Sequence, residues 1–228
     1  MNGNLEPWLA QYRQAVEQAF QGRIWFMGLQ GSYGRGEATE HSDIDVVLIL
    51  DTVSPEDLEQ YSRLLDTLPM REMVCGFVSG KRELFAWERS DLFQFCRDTV
   101  PLVGSLDDIL AQIGKEDVRR AIRIGACNLY HLCAHNLVHE KSAEIVKESY
   151  KMAAFTLQAI AFWQTGRYEK KKRALLPLLA PQDRAILQAG MELKGKNLSW
   201  EEGKPYAQRL LLWASRWIGG MDDGEVGI

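Results

Sequence analysis

Residues 31–50 read GSYGRGEATEHSDIDVVLIL, and this stretch decides the expected fold. Its second half is rich in branched apolar residues, which predicts a buried β-strand over residues 43–50. Another apolar run, RIWFMGL at residues 23–29, predicts a strand just before it. The glycine-rich segment at residues 31–36 would then connect two strands of one sheet.

That glycine-rich segment is a candidate phosphate-binding turn. Glycine allows backbone N–H groups to approach a phosphate closely, so Gly31 suits this role. Ser32 adds a hydroxyl donor, and Arg35 adds a permanent cation that matches phosphate oxygens. The alternative is an ordinary connecting turn, because the segment has neither the GxxxxGK[ST] nor the GxGxxG pattern.

Two carboxylates open the strand that follows. Asp43 and Asp45 are two residues apart, so their side chains point to the same face of the sheet. Their Cα atoms would be about 6.6 Å apart at ~3.3 Å per residue. Charges at that separation repel by roughly 2.5 kcal/mol at an effective dielectric constant of 20. A divalent cation would remove this cost, whereas the alternative is a strand end with both acids solvated.

The hydrophobic pattern changes after about residue 107. Before it we predict helices at residues 5–20 and 55–68, and strands at residues 72–79 and 99–106, the last at a sheet edge because it contains Pro101. After it, helical periodicity dominates at residues 118–137, 144–164, 181–193 and 206–218. We therefore expect an α+β domain over residues 1–110 and an all-α helical bundle over residues 111–228.

The charge is divided in the same way. The chain has 228 residues and a formal net charge of −4, yet residues 1–110 carry 9 basic against 18 acidic residues. Residues 111–228 carry 18 basic against 13 acidic residues. The acidic half is unsuited to nucleic acid, and the basic run at residues 170–173 lacks interleaved aromatic residues, so we expect no nucleic-acid partner.

Composition also indicates the compartment. The four cysteines lack paired close spacing, which is typical of reduced thiols in a cytoplasmic protein. We expect no membrane partner, because the longest uncharged helical stretch, residues 152–166, is 15 residues long and a span needs about 20. The first residues show no basic and apolar leader, so we expect no secretory signal.

The spacing of these motifs resembles a known family. Gly31-Ser32, ten residues, and then Asp43-Ile-Asp45 are similar to the signature of the DNA polymerase β-type nucleotidyltransferase superfamily. The extended motif and the helical second half resemble the small-molecule members of the aminoglycoside or kanamycin type. The resemblance implies a nucleotidyltransferase domain with a mixed sheet and flanking helices, followed by a helical bundle. Gln30 departs from the pattern, since the family commonly has an apolar residue before the Gly-Ser pair.

The resemblance also implies the site. Asp43 and Asp45 would be catalytic and would hold two Mg²⁺ ions, with a third carboxylate from a neighbouring strand sharing one of them. Glu72 is our prediction for that third carboxylate, and Asp98 is the alternative. The Gly31-Ser32 turn, together with Arg35, would bind the triphosphate of ATP or another nucleoside triphosphate.

The second half would complete the site. In kanamycin-type enzymes the first helix of the bundle supplies a general base, and His131 or His135 is our candidate because this helix has no Glu at that point. Lys151, one turn after Lys147, is a further candidate for binding the nucleotide. The row of Cys127 and three histidines is otherwise typical of packing and surface residues.

We therefore expect an adenylyltransferase-like enzyme that transfers a nucleoside monophosphate, AMP from ATP by default, to a hydroxyl of a small molecule such as an aminoglycoside-like antibiotic. Two alternatives remain open at this stage. One is an enzyme that AMPylates a protein, and the other is a nucleotide-binding regulatory module whose catalytic site has decayed. A homodimer is compatible with all three hypotheses.

Overall fold

The computed structural model describes residues 5–40 and 42–220, and the chain divides between Gln112 and Ile113 into two compact units. A single 3₁₀ turn, Arg71–Met73, precedes the third strand of the first unit. The helices and strands of that unit are α1 (Glu6–Ala19), β1 (Ile24–Leu29), α2 (Gly31–Arg35), β2 (Ile44–Leu50), α3 (Pro55–Asp66), β3 (Val74–Gly80), α4 (Lys81–Phe85), α5 (Arg89–Asp98), β4 (Val100–Val103) and α6 (Asp107–Leu110).

The first unit contains a mixed four-stranded sheet in the order β3-β2-β1-β4. β1 pairs antiparallel with both β2 and β4, whereas β2 and β3 run parallel with Asp45 opposite Cys75. The predicted mixed sheet with flanking helices is confirmed. The prediction that the Pro101 strand lies at an edge is also confirmed, since β4 pairs with β1 alone among the described strands.

The alternation of β2 separates a buried face from the face that carries the acids. Ile44, Val46, Leu48 and Leu50 belong to a core cluster in which α1 and α3 contribute aromatic and aliphatic side chains. Successive side chains of a strand point to opposite faces, so Asp45 lies on the other face of the sheet. Packing against α1 and α3 therefore orients the carboxylate away from them.

Local signals explain most boundaries of the first unit. Ser54 caps α3 through a reciprocal capping box with Asp57, and Pro55 is the first helical residue, as the sequence predicts. The glycine-rich segment forms the short helix α2 instead of an irregular turn, and Gly36 ends it at φ +68°. The strand predicted from residue 72 begins at Val74, because the preceding residues form the 3₁₀ turn.

The second unit is all-helical. Its elements are α7 (Lys115–His135), a π-helical segment (Asn136–Glu140), α8 (Ala143–Thr165), α9 (Lys172–Leu175), a 3₁₀ turn (Leu176–Leu178), α10 (Pro181–Leu193) and α11 (Trp200–Gly220). α7 packs against α8 and α11, and α8 packs against α10. No helix within residues 5–40 and 42–220 is both long and apolar enough to cross a membrane.

The last helix begins earlier than its periodicity predicts. Residues 206–218 show the helical pattern, but α11 starts at Trp200 and continues through Pro205. Ser199 and Glu202 form the hydrogen bonds of a capping box: the Glu202 carboxylate accepts from the Ser199 N–H at 2.9 Å, and the Ser199 Oγ accepts from the Glu202 N–H at 3.4 Å. The S-x-x-E sequence is therefore the signal that fixes this boundary.

A buried carboxylate joins α10 to α11. The Oδ1 atom of Asp183 accepts hydrogen bonds from the indole N–H groups of Trp213 at 2.8 Å and Trp217 at 3.0 Å, and from the Arg216 guanidinium at 2.6 Å. A buried charge is tolerated when it is paired and hydrogen-bonded, so this cluster fixes the two helices at one contact point.

Candidate active site

The Gly-Ser turn and the acid-bearing strand lie in direct contact. Gly31 adopts φ +64°, and a Cβ at this position would lie 2.7 Å from the carboxyl carbon of Asp45. The Asp45 carbonyl also accepts a hydrogen bond from the Gln30 N–H at 2.7 Å. Glycine is the only residue type that fits a position with this backbone conformation and this close neighbour. The backbone of the turn therefore lies against the carboxylate.

Charge repulsion and burial act together on the strand acid. Asp45 is half-buried, and its pKa is raised first by burial, next by the neighbouring Asp43, and also by Asp98, while the Arg35 guanidinium lowers it. Asp43, one residue before β2, is exposed. A group in this environment is stabilised in its charged form by a cation. The two acids and Arg35 therefore form one electrostatic cluster at the start of β2.

The donor set suits Mg²⁺ rather than a metal that needs a closed protein cage. Asp43 and Asp45 supply hard carboxylate oxygens, and Mg²⁺ typically takes one or two carboxylates together with water and substrate phosphates. Within the described part of the chain, no group of three His, Cys, Asp or Glu side chains is arranged to hold a metal ion. Water and substrate phosphate oxygens, or a third carboxylate from a neighbouring strand, would complete the coordination.

The structure places Glu72 in the 3₁₀ turn before β3, where it is exposed. Ile44 is opposite Val74 in the parallel register, so the turn containing Glu72 and the residue Asp43 precede the same end of two adjacent strands. The residue of β3 directly opposite Asp45 is Cys75, not a carboxylate. Glu72 is therefore near the acids in the topology of the sheet.

Asp98, the alternative third carboxylate, is engaged by Arg35. Its Oδ2 accepts a hydrogen bond from the Arg35 guanidinium at 2.8 Å. Asp98 is the last residue of α5, and Arg35 is the last residue of α2. The structure thus brings Arg35, Asp98 and Asp45 into one neighbourhood, since both Arg35 and Asp98 act on the pKa of Asp45.

Gln30, which departs from the family pattern, has specific side-chain partners. The Gln30 amide nitrogen donates to the Thr99 hydroxyl at 2.6 Å and to the Phe95 carbonyl at 3.2 Å. These partners are more than sixty positions away in the chain, so no local pattern could have identified them. The only available signal was the polar residue itself, at a position where an apolar one is common.

The remaining predicted residues lie in the second unit. His131 and His135 are neighbours on α7 with ring centroids 6.2 Å apart, and the His135 Nε2 lies 3.3 Å from the Glu140 carboxylate. Lys151 on α8 forms an ion pair with Glu148 one turn earlier. The roles of His131 and His135 as a base and of Lys151 in nucleotide binding stay predictions.

Comparison with known proteins agrees with these observations. Residues 9–124 match the sequence profile of the nucleotidyltransferase domain family. No curated protein sequence matches the chain. Among solved structures, spectinomycin adenyltransferase AAD(9) from Enterococcus faecialis, crystallised with ATP and spectinomycin, is similar with a TM-score of 0.60 and 15% identity. The match covers 93% of this chain and 100% of that chain, and at this identity it shows a shared fold.

Proposed function

The chain belongs to the nucleotidyltransferase domain family, and we propose that it transfers AMP from ATP to a hydroxyl group of a small molecule in a Mg²⁺-dependent reaction. The observation that carries this proposal is the contact between Gly31 and Asp45. It joins a turn that can bind phosphate to a carboxylate that can bind a cation, and MgATP needs both groups side by side.

The candidate site residues of the first unit have separate roles in this proposal. The backbone of Gly31 and the hydroxyl of Ser32 bind the triphosphate, and Arg35 adds positive charge beside it. Asp43 and Asp45, with Glu72 as the third ligand, hold two metal ions. When bound, Mg²⁺ would supply Lewis-acid stabilisation of the charge that develops on the phosphate oxygens and would lower the pKa of the attacking hydroxyl.

An acceptor hydroxyl must lose its proton as it attacks the α-phosphorus, while pyrophosphate leaves. His131 or His135 is the proposed general base, since an imidazole has an ordinary pKa near neutrality. The likeness to AAD(9), crystallised with spectinomycin, over 93% of this chain supports an aminoglycoside-like acceptor. Such molecules offer several hydroxyl groups, so the choice of hydroxyl would depend on how the enzyme orients the acceptor.

A protein acceptor and a decayed regulatory module are the competing functions. The presence of Gly31, Ser32, Asp43 and Asp45 together disfavours decay, because all four residues of the motif are retained. The helical second unit resembles that of enzymes acting on small molecules, which disfavours a protein acceptor.

The test begins with MgATP binding, measured by calorimetry and thermal shift. We expect the wild type to bind MgATP, and Asp43→Asn/Asp45→Asn to lose the Mg²⁺-dependent part of the affinity. Asp51→Asn is the matched control, because Asp51 directly follows the other end of β2 and pairs with Arg23. Pyrophosphate release with a panel of aminoglycosides and spectinomycin then tests transfer. Absence of Mg²⁺-dependent affinity for any nucleoside triphosphate would overturn the proposal.

A further inference from the structure

The last turn of α5 holds α2 at both of its ends. At the start of α2, the Gln30 side-chain amide donates to the Thr99 hydroxyl at 2.6 Å and to the Phe95 carbonyl at 3.2 Å. At its end, the Arg35 guanidinium pairs with Asp98 at 2.8 Å. A helix of one turn has little stability of its own, so its position depends on such attachments.

Close packing supports the same attachment. Gly34 lies in the middle of α2, and a Cβ there would lie 2.8 Å from the Leu29 carbonyl oxygen and 3.8 Å from the Asp98 carbonyl oxygen. The backbone of α2 therefore sits directly over the end of β1 and beside the end of α5. A side chain at residue 34 would clash with the Leu29 carbonyl, so glycine permits this close approach of α2 to the end of β1.

The orientation of the Arg35 guanidinium is fixed by its acidic neighbours. The Arg35 and Asp98 side chains are 18% and 10% exposed, so the pair is largely shielded from solvent, and Glu37 lies 3.7 Å from the Arg35 Nε. A guanidinium held by carboxylates keeps a fixed orientation, whereas an exposed arginine samples many rotamers. Its charge is also felt by Asp45, the acid next to Gly31.

We propose that Asp98 and Thr99 are positioning residues, which hold the triphosphate-binding turn in register with Asp45 through Arg35 and Gln30. Asp98 then serves the nucleotide site as the partner of Arg35 and is not the third metal ligand. This inference rests on the proposed nucleotide site. It also gives Gln30 a role that the apolar residue common at this position cannot perform.

The first experiment measures the MgATP dissociation constant of Asp98→Asn by calorimetry. We expect roughly tenfold weaker binding, because Asn lacks the negative charge that holds the Arg35 guanidinium in place. Asp57→Asn is the matched control: the Asp57 side chain is 11% exposed and pairs with Arg23 at 2.6 Å, and neither residue is part of the proposed site. This control should lower the melting temperature and leave the dissociation constant unchanged. Weakened binding in both variants would indicate a general structural effect and contradict the inference.

A double-mutant cycle tests whether Asp98 acts through Arg35. In an Arg35→Gln background, Asp98→Asn should weaken MgATP binding no further, because the residue it positions is already absent. Additive losses would contradict the inference. So would a shift of the Mg²⁺ midpoint in Asp98→Asn alone, since that result would identify Asp98 as a metal ligand.

The other attachment is tested with Gln30→Leu. We expect weaker MgATP binding with a small change in melting temperature, whereas Gln60→Leu, which removes a comparable hydrogen bond from a glutamine amide to the Ala19 carbonyl, should leave binding unchanged. Equal binding by wild type and Gln30→Leu would contradict the role of Gln30. A wild type that binds no nucleotide at all would overturn the proposed function itself, so the two failures are distinguishable.

Discussion

The carboxyl group of Asp45 lies directly against Gly31, so a position in the turn that has no room for a side chain is the position that faces the acid. The residue pair is separated by a connecting segment, and the sheet register of β2 brings the two together. Because of this contact, a side chain at residue 31 would disturb the Asp45 carboxylate as well as the backbone conformation.

The first prediction concerns Gly31→Ala. Alanine at φ +64° costs roughly 1–2 kcal/mol for the left-handed backbone conformation, and its methyl group would also displace the Asp45 carboxylate. Gly22→Ala is the control, since Gly22 has φ +72° with no atom within 4 Å of an added Cβ. Urea denaturation should show a loss in both variants, but only Gly31→Ala should lose MgATP affinity. Intact affinity in Gly31→Ala would show that the turn does not contact the nucleotide.

The second prediction tests Glu72 as the third metal ligand. Glu72→Gln should raise the Mg²⁺ concentration needed for half-maximal pyrophosphate release, because a neutral amide binds Mg²⁺ more weakly than a carboxylate. Glu59→Gln serves as the control, since Glu59 is an exposed acid on α3 that pairs with Arg63. An unchanged Mg²⁺ titration would assign the third ligand elsewhere.

The third prediction uses the cysteines as reporters. Cys75 and Cys127 are exposed, whereas burial raises the pKa of Cys96 to about 12 and that of Cys133 to about 11. A thiol reagent at neutral pH should therefore label two cysteines in the folded chain and four after denaturation.

Ligand protection extends this measurement to the site. Cys75 lies opposite Asp45 in the parallel register, so MgATP should slow its labelling. The Asp43→Asn/Asp45→Asn variant is the control, and its Cys75 should react at the same rate with and without nucleotide. Equal rates at Cys75 in the presence and absence of MgATP would place the nucleotide away from this face of the sheet.

The fourth prediction concerns acid stability. The pKa of Asp57 is lowered to about 2, first by its hydrogen bond from Arg23 and next by the Ser54 N–H. The unfolded value is about 3.9, so the stabilisation from this pair is present above about pH 4 and is lost as the pH falls towards 2. Asp57→Asn should flatten the decline of the unfolding free energy in this range. An unchanged pH profile would contradict the prediction.

The elements that the sequence predicted best are those with local signals. These signals are the branched residues of β2, the Ser54 cap and the helical periodicity of α8 and α10. Each depends on residues a few positions apart, so the sequence alone predicts the element. The start of α11 also has a local signal, the capping box of Ser199 and Glu202. Hydrophobic periodicity does not detect it, because the periodic pattern begins only at residue 206.

The rest depends on contacts between distant residues. The 3₁₀ turn before β3 follows Met70, which has φ +60°. Methionine rarely adopts this backbone conformation, so the sequence does not predict it. The pairing of Arg35 with Asp98 spans 63 positions and results from the packing of α2 on α5. In the candidate site, sequence reasoning could therefore identify the acids and the turn, but not the attachments that set their separation.

The position of Pro101 in β4 has a consequence for self-association. An edge strand normally presents unpaired backbone donors to which another chain can add, and proline lacks that donor. β4 is short and its Pro101 is exposed, so continuation of the sheet into a neighbouring molecule is discouraged at this edge. Two copies that joined their sheets strand to strand would have to use the opposite edge, formed by β3, where chemical crosslinking through the exposed Cys75 would reveal them.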